Sequence, residues 1–205
     1  MATRSEEWMS VINSGWIRAA LGALTGAAVI ALGAWLQFPI PGTTIPQTGQ
    51  TIAVLGCGAL LGSRLGGLAV LLYLLTGALG LPIFSDGASG WQVLTGPNAG
   101  YFAGFAVSAM MTGRLLRTVP GGSIAFGKAV LILLAGHGLI LLLGGAWLAR
   151  SLGMAEAYQN GIAPFYYGAL VKSVLTAMAV VPVWRFRRAR GLPHQVAGRA
   201  SQNRD

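Results

Sequence analysis

The sequence predicts an all-α integral membrane protein that crosses the lipid bilayer several times. Its 205 residues are 54% hydrophobic and only 9% charged, whereas about 25% of the residues in a soluble domain are charged. Long apolar runs recur along the chain, and the basic residues lie between those runs. The net charge of +9 could indicate nucleic acid as a partner. Basic loops between apolar runs are instead typical of membrane proteins, so no nucleic acid is expected.

Six apolar segments are expected to form transmembrane helices. A helix rises 1.5 Å per residue, so about 20 residues cross a hydrocarbon core of about 30 Å. The fifth segment is the clearest because it has 21 residues without a charge, whereas the second and fourth are short and could be tilted or re-entrant. The segments are 16–36, 51–61, 65–81, 98–114, 129–149 and 164–184.

The basic residues predict the orientation of these spans. With six spans, 12 of the 14 basic residues fall on one side, and Arg150 falls on the other. Because lysine and arginine are enriched in cytoplasmic loops, both termini are expected in the cytoplasm and the protein in the cell membrane. The predicted organisation is a cytoplasmic segment, 1–15, a six-helix membrane domain, 16–186, and a basic cytoplasmic tail, 187–205. The twelve residues are Arg4, Arg18, Arg64, Arg114, Arg117, Lys128, Arg185, Arg187, Arg188, Arg190, Arg199 and Arg204.

Lys172 is the most informative single residue. It lies in the middle of the run 162–184, which contains no other charged residue. An ammonium at that depth is unfavourable by several kcal/mol unless it faces protein, water or an anion. None of the five acids lies in an apolar run that could pair with it. An anionic ligand is therefore the first candidate, and the alternative is that Lys172 snorkels to an interface or bonds a helix carbonyl.

The first segment carries a row of small residues. Alanine recurs every four residues, and such rows let helices approach closely in lipid. The row favours either packing within this chain or a docking face for a separate subunit. Its members are Ala19, Ala23, Ala27 and Ala31.

Several chemistries find no support in the sequence. It contains no GxxxxGK[ST] loop, so the chain is not expected to hydrolyse nucleotide by itself. Cys57 is the only cysteine, and no metal site or cofactor is expected. His137 is the other titratable residue inside a span, and a lone histidine is more often a hydrogen-bonded packing residue than a catalyst. An intramembrane enzyme that uses His137 is therefore the weakest alternative.

Three motifs between residues 45 and 105 resemble the BioY family, the biotin-specific substrate-binding (S) components of energy-coupling factor (ECF) transporters. Residues 45–51, IPQTGQT, are similar to the family's V-P-x-T-x-Q-T loop. Residues 60–66, LLGSRLG, with 73–75 and 80–84, resemble its next helix pair. Residues 96–105, GPNAGYFAGF, resemble its G-P-[ST]-G-G-Y-x-x-G-F signature.

This resemblance implies a fold, partners and a site. It implies six helices with cytoplasmic termini, a vitamin site near the outer face, and docking of a transmembrane coupling subunit, joined to two ATPases, on the alanine row. Biotin combines an apolar ring body with a ureido group and a carboxylate, which suits an apolar pocket with few polar groups. The expected binding residues are three aromatic side chains, two amides and one cation, namely Phe84, Trp91, Tyr101, Gln50, Asn98 and Lys172.

The chain departs from the family pattern at two positions. Ala169 stands where the family's G-D-x-x-K motif has an aspartate three residues before the lysine. Asp86 stands in the outer loop where the family tends to have glycine. Without the acid at 169, either Gln50 or Asn98 supplies another acceptor, or the ligand is a different small carboxylate such as lipoate.

Overall fold

A computed structural model describes residues 15–38, 47–117 and 125–190. These residues form a helical bundle with a two-stranded antiparallel ribbon, in which Gln37 pairs with Thr48 and Phe38 pairs with Gln47. The strands are β1 (Gln37–Phe38) and β2 (Gln47–Thr48), and short 3₁₀ turns cover Ser85–Gly87 and Ala163–Phe165. The helices are α1 (Gly15–Trp35), α2 (Gln50–Leu61), α3 (Ser63–Ala78), α4 (Trp91–Thr95), α5 (Ala99–Arg117), α6 (Phe126–Leu152), α7 (Met154–Gly161) and α8 (Tyr166–Ala189).

Each of the six predicted segments is a helix, namely α1, α2, α3, α5, α6 and α8. Three stretches are long and apolar enough to cross a membrane by length and composition: Gly15–Trp35, Phe126–Leu152 and Met154–Arg187. Helices α2 and α3 are apolar but have only 12 and 16 residues. The all-α membrane class is confirmed, and the count of six spans stays a prediction. The predicted N-terminal segment and most of the basic tail lie outside the described residues.

The centre of the bundle depends on close contact between α2 and α5. A Cβ added to Gly58 would collide with the backbone of Ala109, and one added to Gly113 would collide with the Gly58 carbonyl oxygen. Any larger residue at these positions would push the two helices apart. Small residues at a helix crossing allow the backbone contact that stabilises bundles in lipid.

The structure divides the alanine row of α1 between two environments. Ala23 has 0% of its surface exposed and packs inside the chain, whereas Ala19, Ala27 and Ala31 are partly exposed. An α-helix turns about 100° per residue, so each step of four residues rotates the row by about 40°. The row therefore winds around α1 rather than lining one face. Ala23 therefore packs within the chain, and the docking role of the row stays a prediction.

The two ends of the bundle differ in charge. At one end α2 and α5 finish, α3 and α6 begin, and α8 finishes, and most of the described basic residues lie near these termini, including Arg64, Arg114, Lys128 and Arg187. There the Arg187 guanidinium donates to the Leu60 carbonyl at 3.1 Å, near the C-terminus of α2. At the opposite end, α1, α3 and α6 finish and α2, α5 and α8 begin. The candidate site lies at this second end.

Candidate ligand-binding site

A cavity of about 390 Å³ opens among the β2–α2 junction, the 3₁₀ turn Ser85–Gly87, α4, α5, α6 and the start of α8. Ligand sites for small molecules typically have volumes of about 300–1,000 Å³. Five of the six predicted binding residues line this cavity: Gln50, Phe84, Asn98, Tyr101 and Lys172. The fold therefore brings together residues that are up to 122 positions apart in the sequence.

Trp91 does not line the cavity and is 65% exposed. It is the first residue of the five-residue helix α4. Val93, two residues later, does line the cavity. Two residues are separated by about 200° around a helix, so the two side chains point to opposite sides of α4. The structure thus places Trp91 outside the site, and Val93 is the α4 residue that sequence reasoning missed.

Aromatic side chains form an apolar wall of the cavity. The rings of Phe84 and Phe102 have centroids 5.3 Å apart, and those of Phe102 and Phe105 are 5.8 Å apart in an edge-to-face arrangement. Tyr73 lies behind them, edge-on to Phe84 at 5.4 Å. Such pairs stabilise each other beyond simple burial. A flat or compact apolar ligand would find a rigid surface here.

Lys172 reaches the cavity from the second turn of α8 and is half-buried. Its own carbonyl accepts a hydrogen bond from Thr176 Oγ1 at 2.7 Å. Of the two described carboxylates, Asp86 and Glu156, neither forms an ion pair with the Lys172 ammonium. The ammonium therefore faces the cavity without a counter-ion from the described part of the chain.

Asp86 also lines the cavity, which sequence reasoning did not predict. Its backbone has φ 58° and ψ 24°, a left-handed conformation that glycine adopts at low cost and that aspartate tolerates better than most residues. Its side chain is exposed to solvent. The described lining therefore combines one ammonium with one exposed carboxylate.

Gln50 is buried at the first turn of α2. Its Nε2 donates to the Tyr73 hydroxyl at 2.7 Å, and that hydroxyl donates to the Ile83 carbonyl at 3.4 Å. These bonds fix the orientation of the amide. The bond to Tyr73 uses one of the two N–H groups of Nε2, and Oε1 is the acceptor that Gln50 can offer a ligand.

Tyr101 and Asn98 lie at the start of α5. The Tyr101 hydroxyl donates to the Gly161 carbonyl at 2.6 Å, and its ring occupies the space that a Cβ at Gly144 would need. The Asn98 carbonyl accepts hydrogen bonds from the amides of Tyr101 and Phe102 at the helix start. Tyr101 therefore offers the cavity its ring, while the exposed Asn98 side chain stays available near the mouth.

His137 is a buried polar residue of the cavity wall. The residue is buried and lines the cavity together with Thr51 and Ala169. Its Nδ1 lies 2.9 Å from Ser173 Oγ and 3.2 Å from the Leu133 carbonyl, and its Nε2 lies 3.1 Å from Thr51 Oγ1. The expected hydrogen-bonded packing role fits these contacts. The contact between His137 and Thr51 joins residues that are 86 positions apart in the sequence, so no local pattern could have predicted it.

Comparisons with known proteins place this architecture in a family. Residues 4–189 match the BioY family. The biotin transporter BioY of Rhodobacter capsulatus is 32% identical over 174 residues, which cover 80% of this chain and 91% of that protein. The biotin transporter BioY of Thermotoga maritima is 35% identical over 152 residues, covering 74% and 86%.

A solved structure is also similar, namely the crystal structure of the S-component for biotin from an ECF-type ABC transporter. It matches with a TM-score of 0.70 and 22% identity over 92% of this chain and 95% of that chain. The fold is therefore that of an S component. The resemblance predicted from the three motifs is confirmed, and the relatives are transporters, so the enzyme alternative is not retained. This chain belongs to the BioY family.

Proposed function

We propose that this chain is the biotin-binding S component of an ECF-type ABC transporter and mediates biotin uptake. The observation that carries the proposal is the cavity itself, which combines an aromatic wall with a single ammonium that has no described ion-pair partner. An uncompensated ammonium at a membrane protein's interior favours an anionic ligand. The relatives named above are biotin transporters.

Biotin matches the cavity group by group. Its carboxylate is expected at Lys172, where it would neutralise the ammonium. Its fused rings are expected against Phe84 and Tyr101, which are the aromatic residues proposed as ligand contacts. Its ureido group needs hydrogen-bond acceptors, and Gln50 Oε1 and the Asn98 side chain are the proposed amide contacts.

The proposed arrangement in the membrane has six spans, with both termini in the cytoplasm. The basic ends of α2, α5, α6 and α8 would then face the cytoplasm, as the distribution of lysine and arginine favours. The cavity, at the opposite end of the bundle, would open to the outside. Helices α2 and α3 are short for full spans. The neighbours in the bundle cover α2, which has no exposed residue, whereas α3 exposes Leu68, Leu71 and Leu75.

The proposed partners are a transmembrane coupling subunit and the ATPases that drive uptake. An apolar groove of about 470 Å³ lies between α1 and α3 and includes Ala27, Ala28 and Ala31. Small residues along a groove allow a partner helix to approach closely in lipid. We propose Ala27 and Ala31 as docking residues, with Ala19 along the same helix, and assign Ala23 to internal packing.

The direct test is the identity of the bound ligand. The full chain would be purified in detergent, and native mass spectrometry would measure the mass of any co-purified small molecule. Biotin should be found, and calorimetric titration of the ligand-free protein should show saturable biotin binding. A co-purified lipoate, with no measurable binding of biotin, would show that the site serves a different carboxylate.

A further inference from the structure

The hydrogen atoms around His137 can be assigned from the contacts. Ser173 Oγ donates to the Ala169 carbonyl at 2.7 Å, so its single hydrogen is used there. The Leu133 carbonyl, 3.2 Å from His137 Nδ1, can only accept. Both neighbours of Nδ1 are therefore acceptors, and Nδ1 carries the ring hydrogen. In a neutral imidazole Nε2 is then an acceptor.

The opposite tautomer satisfies fewer of these contacts. A bare Nδ1 would point its lone pair at the Leu133 carbonyl oxygen, which also carries lone pairs. It would also compete with the Ala169 carbonyl for the one hydrogen of Ser173. The 2.7 Å contact between Ser173 Oγ and the Ala169 carbonyl and the 3.2 Å contact between Nδ1 and the Leu133 carbonyl would then both lack a hydrogen, so the Nδ1-protonated form fits the geometry better.

This assignment determines what Thr51 offers a ligand. Because His137 Nε2 accepts, the Thr51 hydroxyl must donate its only hydrogen to it across the 3.1 Å contact. A threonine hydroxyl has one donor and two acceptor lone pairs. Thr51 Oγ1 lines the cavity with its donor already used, so it can meet a ligand only as an acceptor.

Gln50, the preceding residue, also has an acceptor oxygen to offer a ligand. One N–H of its Nε2 donates to the Tyr73 hydroxyl at 2.7 Å, which fixes the amide orientation, and Oε1 is its acceptor atom. Two adjacent residues that line the cavity at the start of α2 thus each carry an acceptor oxygen, Gln50 Oε1 and Thr51 Oγ1. Ala169, on the same cavity wall, has no side-chain acceptor and is only 7% exposed.

We propose that His137 is a positioning residue that makes Thr51 an obligate acceptor, and that Thr51 Oγ1 and Gln50 Oε1 together bind the two N–H groups of the ligand's ureido ring. This inference rests on the proposed function, since it assumes a ligand with two neighbouring donors. A ligand that lacks those donors would leave both acceptors without an N–H partner from the ligand, which is a basis for discrimination. His137 itself contacts the ligand's donors only through Thr51.

The test compares two ligands, biotin and biotin methylated on its ureido nitrogens, which keeps the rings and carboxylate but has lost the N–H donors. Thr51→Val keeps the branched shape but removes the acceptor. It should weaken biotin binding at least about tenfold and should change the affinity for the methylated ligand by less than about threefold. His137→Phe keeps a ring at the same place and should show the same ligand-dependent pattern. Thr51→Ser should restore most of the lost affinity.

The matched control is Thr112→Val, on α5. Thr112 is a fully buried threonine outside the cavity whose hydroxyl has no partner among the described residues. This variant should bind both ligands as the wild type does. The inference would be overturned if Thr51→Val and His137→Phe lost equal affinity for the two ligands, or lost no affinity for biotin. Biotin binding by the wild type would in that case still support the proposed function. A wild-type protein that binds neither ligand would overturn both.

Discussion

Replacing Lys172 with methionine is the most direct perturbation of the proposed site. Methionine has a similar length and no charge, so the aliphatic stem remains packed while the ammonium is removed. The unliganded protein should fold at least as well, because a half-buried charge without a described ion-pair partner is lost from α8. Any loss of ligand affinity would therefore reflect the ammonium.

The size of the effect follows from the environment of Lys172. Two unit charges about 4 Å apart attract by about 4 kcal/mol at an effective dielectric constant of about 20. Removing one partner of a desolvated charge pair typically costs about 2–5 kcal/mol. Lys172 is only half-buried, so the lower end of this range applies. A loss of about 2 kcal/mol corresponds to a Kd about thirtyfold higher.

The assay is calorimetric titration of the purified variants with biotin and with biotin methyl ester. Lys172→Met should weaken biotin binding and leave the uncharged ester almost unaffected, and Lys172→Arg should keep most of the affinity. Lys128→Met is the matched control, because Lys128 is the chain's other lysine and lies on α6 at the opposite end of the bundle. Unchanged biotin affinity in Lys172→Met, or an equal loss for acid and ester, would refute the pairing of this ammonium with the ligand carboxylate.

Two further substitutions test the remaining parts of the proposal. Ala169→Asp adds a charged acceptor to the cavity wall. It should tighten biotin binding severalfold, because charge-assisted hydrogen bonds are about twice as strong as neutral ones. Weaker binding in titration would mean that the new acid competes with the ligand for Lys172. Ala27→Trp should fill the groove beside α1 and abolish assembly with the coupling subunit, but it should leave biotin binding unchanged. The control Ala135→Trp, on an exposed face of α6, should leave both assembly and biotin binding unchanged. Recovery of the complex by pull-down with Ala27→Trp would mean that the docking face lies elsewhere.

The sequence predicted the long helices well for a physical reason. In lipid every backbone group must find its partner within the chain, so an apolar run of sufficient length becomes a helix. Lys172 was found by the same logic, since a charge inside such a run is costly without a function. Helix α4 escaped prediction because its five residues show no periodicity. Without that helix, the sequence could not show that Trp91 points away from the cavity.

Other features depend on contacts that no local pattern encodes. Ala23 is buried although Ala19 and Ala27, one step before and after it in the row, are partly exposed, so its burial depends on which neighbouring elements α1 contacts at that level. The hydrogen bond between Thr51 and His137 joins α2 to α6, and the polarity of both groups depends on Ser173 in α8. These assignments require the positions of three helices at once. They could not be obtained from spacing within any one of them.

The two departures from the family pattern become related in the structure. Asp86 and Ala169 are far apart in the sequence, yet both line the same cavity. An acid at 86 does not replace one at 169, because Asp86 is exposed and solvent screens its charge, whereas position 169 is almost fully buried. A buried carboxylate at 169 could accept from the ligand's ureido donors inside the cavity, where solvent screens it little, whereas the exposed Asp86 carboxylate is screened. The cavity therefore relies on neutral acceptors for ureido donors, and Ala169→Asp changes its chemistry rather than restoring a charge that Asp86 already supplies.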